Sequence, residues 1–148
     1  MKQSQRLESV VQLAQSRAQE AAQALAFVQQ RLQDEQQKLA QLQQYLAEYR
    51  DTVAQEGSKG LTVAVFRRYQ DFSDNVGKAI AAQTQQVNTV HRQVEQVQRH
   101  WQMLDAKHKG LVKLQDKARQ TESLLRQRQE QKELDEIAGR WHLRPPGM

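Results

Sequence analysis

Stepping from Leu7 alternately by four and three residues, the chain reads Leu7, Val11, Ala14, Ala18, Ala21, Leu25, Val28, Leu32, Glu35, Leu39, Leu42, Leu46, Tyr49 and Val53. Thirteen of these 14 positions are apolar or aromatic. Such a spacing, held for about seven heptads, predicts a helix that buries one narrow strip against a partner, as in a coiled coil. The residues between are mostly Gln, Glu, Lys, Arg and Ala, which favour helix. The first helix is expected over about residues 4–56.

A second strip follows: Val65, Tyr69, Phe72, Val76, Ile80, Gln83, Val87, Val90, Val94, Val97, Trp101, Leu104, His108 and Leu111. Between the strips lies Gln55-Glu-Gly-Ser-Lys-Gly-Leu61. Glycine tolerates left-handed backbone, so Gly57 is expected to end the first helix, and Thr62 is a candidate N-cap for the next. A turn over about 57–61 makes the helices antiparallel neighbours. Folding there puts Val53 opposite Val65, Tyr49 opposite Tyr69, Leu46 opposite Phe72 and Leu7 opposite Leu111. Two further matches were not built into that choice. Glu35, polar in the first strip, meets Gln83, polar in the middle of the second. Trp101, the bulkiest strip residue, meets Ala18 in the small stretch Ala14-Ala18-Ala21. Glu35, Gln83, Ala18 and Trp101 are the candidate register residues, because a buried polar pair can fix the alignment of two helices.

The expected fold is all-α, a single coiled-coil domain over 1–148. It is a long two-helix antiparallel hairpin whose second helix, about 62–139, extends beyond the first, with a flexible tail over 140–148. On this reading the first helix is used up at Leu7, opposite Leu111. Roughly 28 residues of the second, about 40 Å at 1.5 Å per residue, then have no partner in the chain. Leu125, Leu134, Ile137 and Trp141 still present apolar groups there.

Composition changes this picture little. Twenty-eight glutamines fill the outer helix faces, and the only prolines, Pro145 and Pro146, leave both helices unbroken. The absence of cysteine excludes disulfides and thiolate metal sites. No secretory signal is expected, and no run approaches the ~18 apolar residues of a membrane span; the apolar blocks are short, as in Leu61 to Phe66. A cytoplasmic chain is expected. Residues 107–148 hold ten basic and six acidic side chains and so carry most of the net +5. Lys107, Lys109, Lys113, Lys117 and Arg119 have Asp105 and Asp116 among them, and few aromatics. This favours an acidic protein surface over nucleic acid.

Reaction chemistry is not indicated. No histidine pair has metal-ligand spacing, and His91 and Glu95, at i,i+4, suit a surface hydrogen bond. Gly57-Ser-Lys-Gly60 lacks the setting of a phosphate loop. No enzyme activity, cofactor or metal is expected. The strongest binding feature is a pair of stripes, Lys38-Leu42-Tyr45-Tyr49 and Phe72-Val76-Ala79-Gln83, side by side near the turn. Most members lie on the core strip, so ordinary packing accounts for them equally well; Tyr45 and Ala79 widen the strip to one side and make it a candidate docking surface.

At these residues the sequence resembles the flagellar FliJ family. The shared features are the hairpin, Leu42…Tyr49-Arg50 before the turn, Tyr69-Gln-Asp-Phe72…Ala79-Ile80…Gln83 after it, and Gln131-Lys-Glu-Leu-Asp-Glu136…Ala138 near the end. The resemblance implies a non-enzymatic stalk of the bacterial flagellar type III export apparatus. It implies binding and activation of the hexameric export ATPase, contact with the cytoplasmic domain of the export gate protein FlhA, and escort of substrate-specific export chaperones. It further implies peripheral association with the inner-membrane export apparatus without direct membrane insertion, and a gate-binding surface of Leu42, Tyr45, Tyr49, Phe72, Val76 and Ala79. The ATPase contact would fall on the C-terminal arm and the Arg17–Ala24 region. The equivalent stalk of a virulence type III secretion system and a generic homodimeric coiled-coil scaffold are the alternatives.

Overall fold

A computed structural model describes residues 2–142. Among them are two helices, α1 (Gln3–Gly57) and α2 (Val63–His142), and no strand. The all-α fold and the longer second helix match the expectation. The turn differs in one detail. Gly60, with φ of 97°, takes the left-handed conformation, whereas Gly57 is the last residue of α1. A Cβ on Gly57 would approach the mobile end of the Leu61 side chain to 3.3 Å, which asks only a slight shift, whereas position 60 favours glycine for its backbone. Lys59 N–H donates to the Glu56 carbonyl at 3.0 Å and Gly60 N–H to the Gly57 carbonyl at 3.1 Å. Thr62 caps α2 as its position suggests: its Oγ1 accepts from Val65 N–H at 3.2 Å. The far end is longer than composition indicates. Gly139 and Arg140 are helical, because one glycine costs a helix only about 1 kcal/mol and proline is not met until 145. Of the expected tail, residues 140–142 are therefore helix, and 143–148 lie outside the described residues.

Contacts divide the chain into two compact units. The turn unit, Glu20–Gln102, contains the hairpin bend. On its α1 side Ala21, Leu25, Val28, Leu32, Glu35, Leu39, Leu42, Leu46, Tyr49 and Val53 are shielded, and their neighbours as far as Glu56 are exposed. On its α2 side every strip residue is shielded except Val65, and Val90 is fully buried. Gln83 Nε2 donates to the Glu35 carboxylate at 2.6 Å and to the Glu35 carbonyl at 2.9 Å. The polar exceptions of the two strips are thus bonded to each other. The Gln83 bond lowers the Glu35 carboxyl from its ordinary value of 4.5; partial burial opposes this, and the nearby Lys38 and Arg31 charges add to it.

The end unit contains α1 through Gln19 and α2 from Met103. Val11, Ala14 and Ala18 are its buried α1 strip residues. Here α1 is not exhausted at Leu7. Ser4 and Gln115 are buried, and Gln115 Nε2 donates to the Ser4 carbonyl and the Glu8 carboxylate. Ser4 donates to Glu122 through both Oγ, at 2.6 Å, and N–H, at 3.1 Å. Arg119 lies 3.3 Å from Glu8. The packed strip therefore continues through Gln115 and Ala118 to Glu122, and the stretch of α2 extending past α1 begins near Leu124 instead of 112. The strip closes with polar groups, so the apolar period gave no sign of it. The two Ser4 bonds hold the Glu122 carboxyl below its ordinary 4.5, with smaller help from Lys2 and Arg119 against partial burial.

Two outcomes follow for stability. Glu35 and Glu122 are stronger acids folded than unfolded, so their contribution is present above pH 4.5 and is lost as pH falls below it. Thermal melts followed by circular dichroism should show Tm dropping across that range, with a smaller drop in Glu35→Gln/Glu122→Gln. Gly60→Ala should cost about 1 kcal/mol in urea unfolding, through the left-handed backbone it must adopt.

Candidate docking surface

In the turn unit the two stripes meet. Tyr49 and Phe72 are half-buried with ring centroids 4.1 Å apart. Tyr49 also stacks on Tyr69 at 5.7 Å, and Tyr45 meets Phe72 edge-on at 5.7 Å. These separations suit attractive ring pairing, worth about 0.5–1.5 kcal/mol per pair beyond area burial. Four rings are thus chained across the helix pair close to the turn.

The six predicted surface residues do not share one environment. Val76 is buried and belongs to the core. Leu42, Tyr49 and Phe72 are half-buried, and Tyr45 and Ala79 are exposed, Tyr45 by 53%. Tyr45 is held against Phe72 by one edge and shows its remaining surface to water. Leu42 and Tyr45, with Lys38, Gln41 and Gln83, line a shallow open groove. Lys38 also lies 3.5 Å from Glu35. Within the stripes Val76 is therefore core, and the linked rings form an aromatic shelf whose exposed member is Tyr45. Gln83 belongs to both, since its amide bonds Glu35 while it borders the groove.

The other two candidate register residues fall in different units. Ala18 is buried in the end unit and Trp101 is half-buried in the turn unit. Arg17 borders a small hollow of the end unit that also takes in Val10, Leu13, Leu104 and Lys107. Along α2 of the end unit, Leu124, Leu125, Leu134, Ile137 and Trp141 are all exposed.

No group of three His, Asp or Glu side chains among the described residues could hold a metal ion. His91 Nδ1 lies 3.2 Å from Glu95, the surface contact expected from their spacing. None of the described helices is long and apolar enough to cross a membrane. Strip reasoning missed two features. The Ser4–Gln115–Glu122 polar closure gave no apolar signal. The exposure of Leu61, Val63 and Phe66 is the other, since a short apolar block by itself does not show whether it is buried.

These features define the class: a two-helix antiparallel coiled coil that presents aromatic surface beside its turn. The family model described as flagellar FliJ protein matches residues 2–147, so the chain belongs to the FliJ family of flagellar export components. Comparisons with curated proteins and with solved structures each gave no match.

The environments predict different costs of truncation. Phe72→Ala removes a ring that touches two others and should cost roughly 2–4 kcal/mol in urea unfolding. Tyr45→Ala should cost under about 1 kcal/mol and leave the helical circular dichroism unchanged.

Proposed function

We propose that the chain is the coiled-coil stalk of a bacterial flagellar export apparatus. In this role it binds and activates the hexameric export ATPase, contacts the cytoplasmic domain of the gate protein FlhA, and escorts substrate-specific export chaperones. The observation that carries the reading is family membership over residues 2–147, joined to an aromatic shelf at the position the family implies for gate contact. A half-exposed tyrosine braced edge-on against a half-buried phenylalanine is a low-entropy anchor. Aromatic residues of this kind are enriched among those that dominate binding energy.

The shelf and the far part of α2 would serve different partners. The gate surface comprises Leu42, Tyr45, Tyr49, Phe72 and Ala79, with Val76 supporting them from the core. The ATPase contact uses Arg17 and the exposed Leu124–Trp141 stretch of α2. Activation in this reading is a binding effect: one asymmetric helix placed among equivalent ring subunits favours some of their states over others. The protein does no chemistry itself and works peripherally at the inner-membrane apparatus, on its cytoplasmic side.

Two measurements test this. Steady-state ATP hydrolysis by the cognate flagellar ATPase should rise on addition of the chain and saturate; an unchanged rate at excess chain would remove the stalk role. Tyr45→Ala should weaken binding to the gate's cytoplasmic domain about tenfold or more in calorimetry while the ATPase response persists. Undiminished gate binding by this folded variant would make the aromatic stripe core only.

A further inference from the structure

Residues 61–68 are exposed one after another, and they include Leu61, Val63, Val65 and Phe66. Val63 is 70% and Phe66 47% exposed. Burying side chains is the ordinary fate of such a block, and here the hairpin turn carries it outward instead. The charges around it have one sign. Residues 57–70 contain Lys59, Arg67 and Arg68 and no carboxylate. None of these three cations enters an ion pair among the described residues. Behind them the sign reverses: residues 43–56 and 71–84 together hold Glu48, Asp51, Glu56, Asp71 and Asp74 against Arg50 and Lys78.

We propose that the turn of this hairpin is a contact site for an anionic lipid surface, with Leu61, Val63 and Phe66 seated in the headgroup layer and Lys59, Arg67 and Arg68 against lipid phosphates. A bilayer requires apolar area and cations but no shape match, and that is what the turn supplies. Its apolar side chains lie at the end of the turn and in the first turn of α2, where all are exposed. The reversal of charge favours an end-on approach: Glu56 and Asp71 border the block, but Glu48, Asp51 and Asp74 lie further along the helices, and screening at physiological salt takes effect over about 8 Å. No membrane span is needed for such a contact, and none is present among the described helices. Attraction of each cation to lipid phosphate, added to a few shallowly buried apolar groups, gives reversible binding. The site is separate from the ATPase and gate contacts and does not depend on them.

The test is co-sedimentation of the full chain with vesicles of equal parts phosphatidylglycerol and phosphatidylcholine, and with pure phosphatidylcholine. Binding is expected to the first, with little to the second, and is expected to weaken as salt is raised. Val63→Asp/Phe66→Asp and Arg67→Glu/Arg68→Glu should each lower the partition coefficient about tenfold or more, with helical circular dichroism retained because all four positions are exposed. Arg92→Glu/Arg99→Glu, an equal charge change elsewhere in the same unit, should retain most of the binding. Absence of binding to the anionic vesicles, or an equal loss in the Arg92/Arg99 variant, would overturn the proposal; the first result would leave the turn to a protein partner.

Discussion

Two helices packed along one stripe leave nearly every side chain within reach of water, so little apolar area is available to hold either helix in place. Among the described residues Val90 alone is enclosed completely. Apolar strips of Leu, Val and Ala can slide by a heptad at modest loss, whereas a hydrogen-bonded polar pair cannot, because sliding leaves both groups buried without partners. In the turn unit Gln83 is bonded to Glu35, and a shift of one helix along the other would break both bonds. The ring contacts near the turn depend on that alignment, since Tyr45 and Tyr49 meet Phe72 only when the two helices are in register.

The end unit solves the same problem with different residues. Its strip is small and smooth, with Val11, Ala14 and Ala18, and it is terminated by the Ser4, Glu8, Gln115 and Glu122 network. A serine N–H at the second position of α1 has no helical acceptor, and Glu122 satisfies it from the other helix. One side chain thus caps α1 and fastens it to α2.

Periodicity made the helices, their order and most of the shielded positions legible, because a 3.5-residue repeat has one structural meaning. It also marked Glu35 and Gln83 as partners, since two polar interruptions on opposed strips must meet or remain unsatisfied. It could not show the polar closure at Ser4, where the strip continues without apolar residues. It placed the end of α1 at Gly57 but could not show that Gly60 is the glycine that takes the left-handed backbone. The docking stripe was partly legible. Spacing placed Leu42, Tyr45, Tyr49, Phe72, Val76 and Ala79 together, but burial distinguishes Val76, which supports, from Tyr45, which faces solvent. For the same reason the Leu61–Phe66 block reads as unremarkable until its exposure is known.

The antiparallel pairing has a consequence for the order in which the chain is made. Ser4 bonds Glu122, 118 residues later, while Glu35 bonds Gln83, 48 residues later. A ribosome finishes α1 before any of its partners exist, and the first residues to emerge are the last to be matched. The helices can close only from the bend outward, like a zip drawn from its closed end. Until synthesis reaches Glu122, Ser4 has no partner for its hydroxyl and N–H, and the apolar stripe near the N-terminus is left uncovered by the later helix.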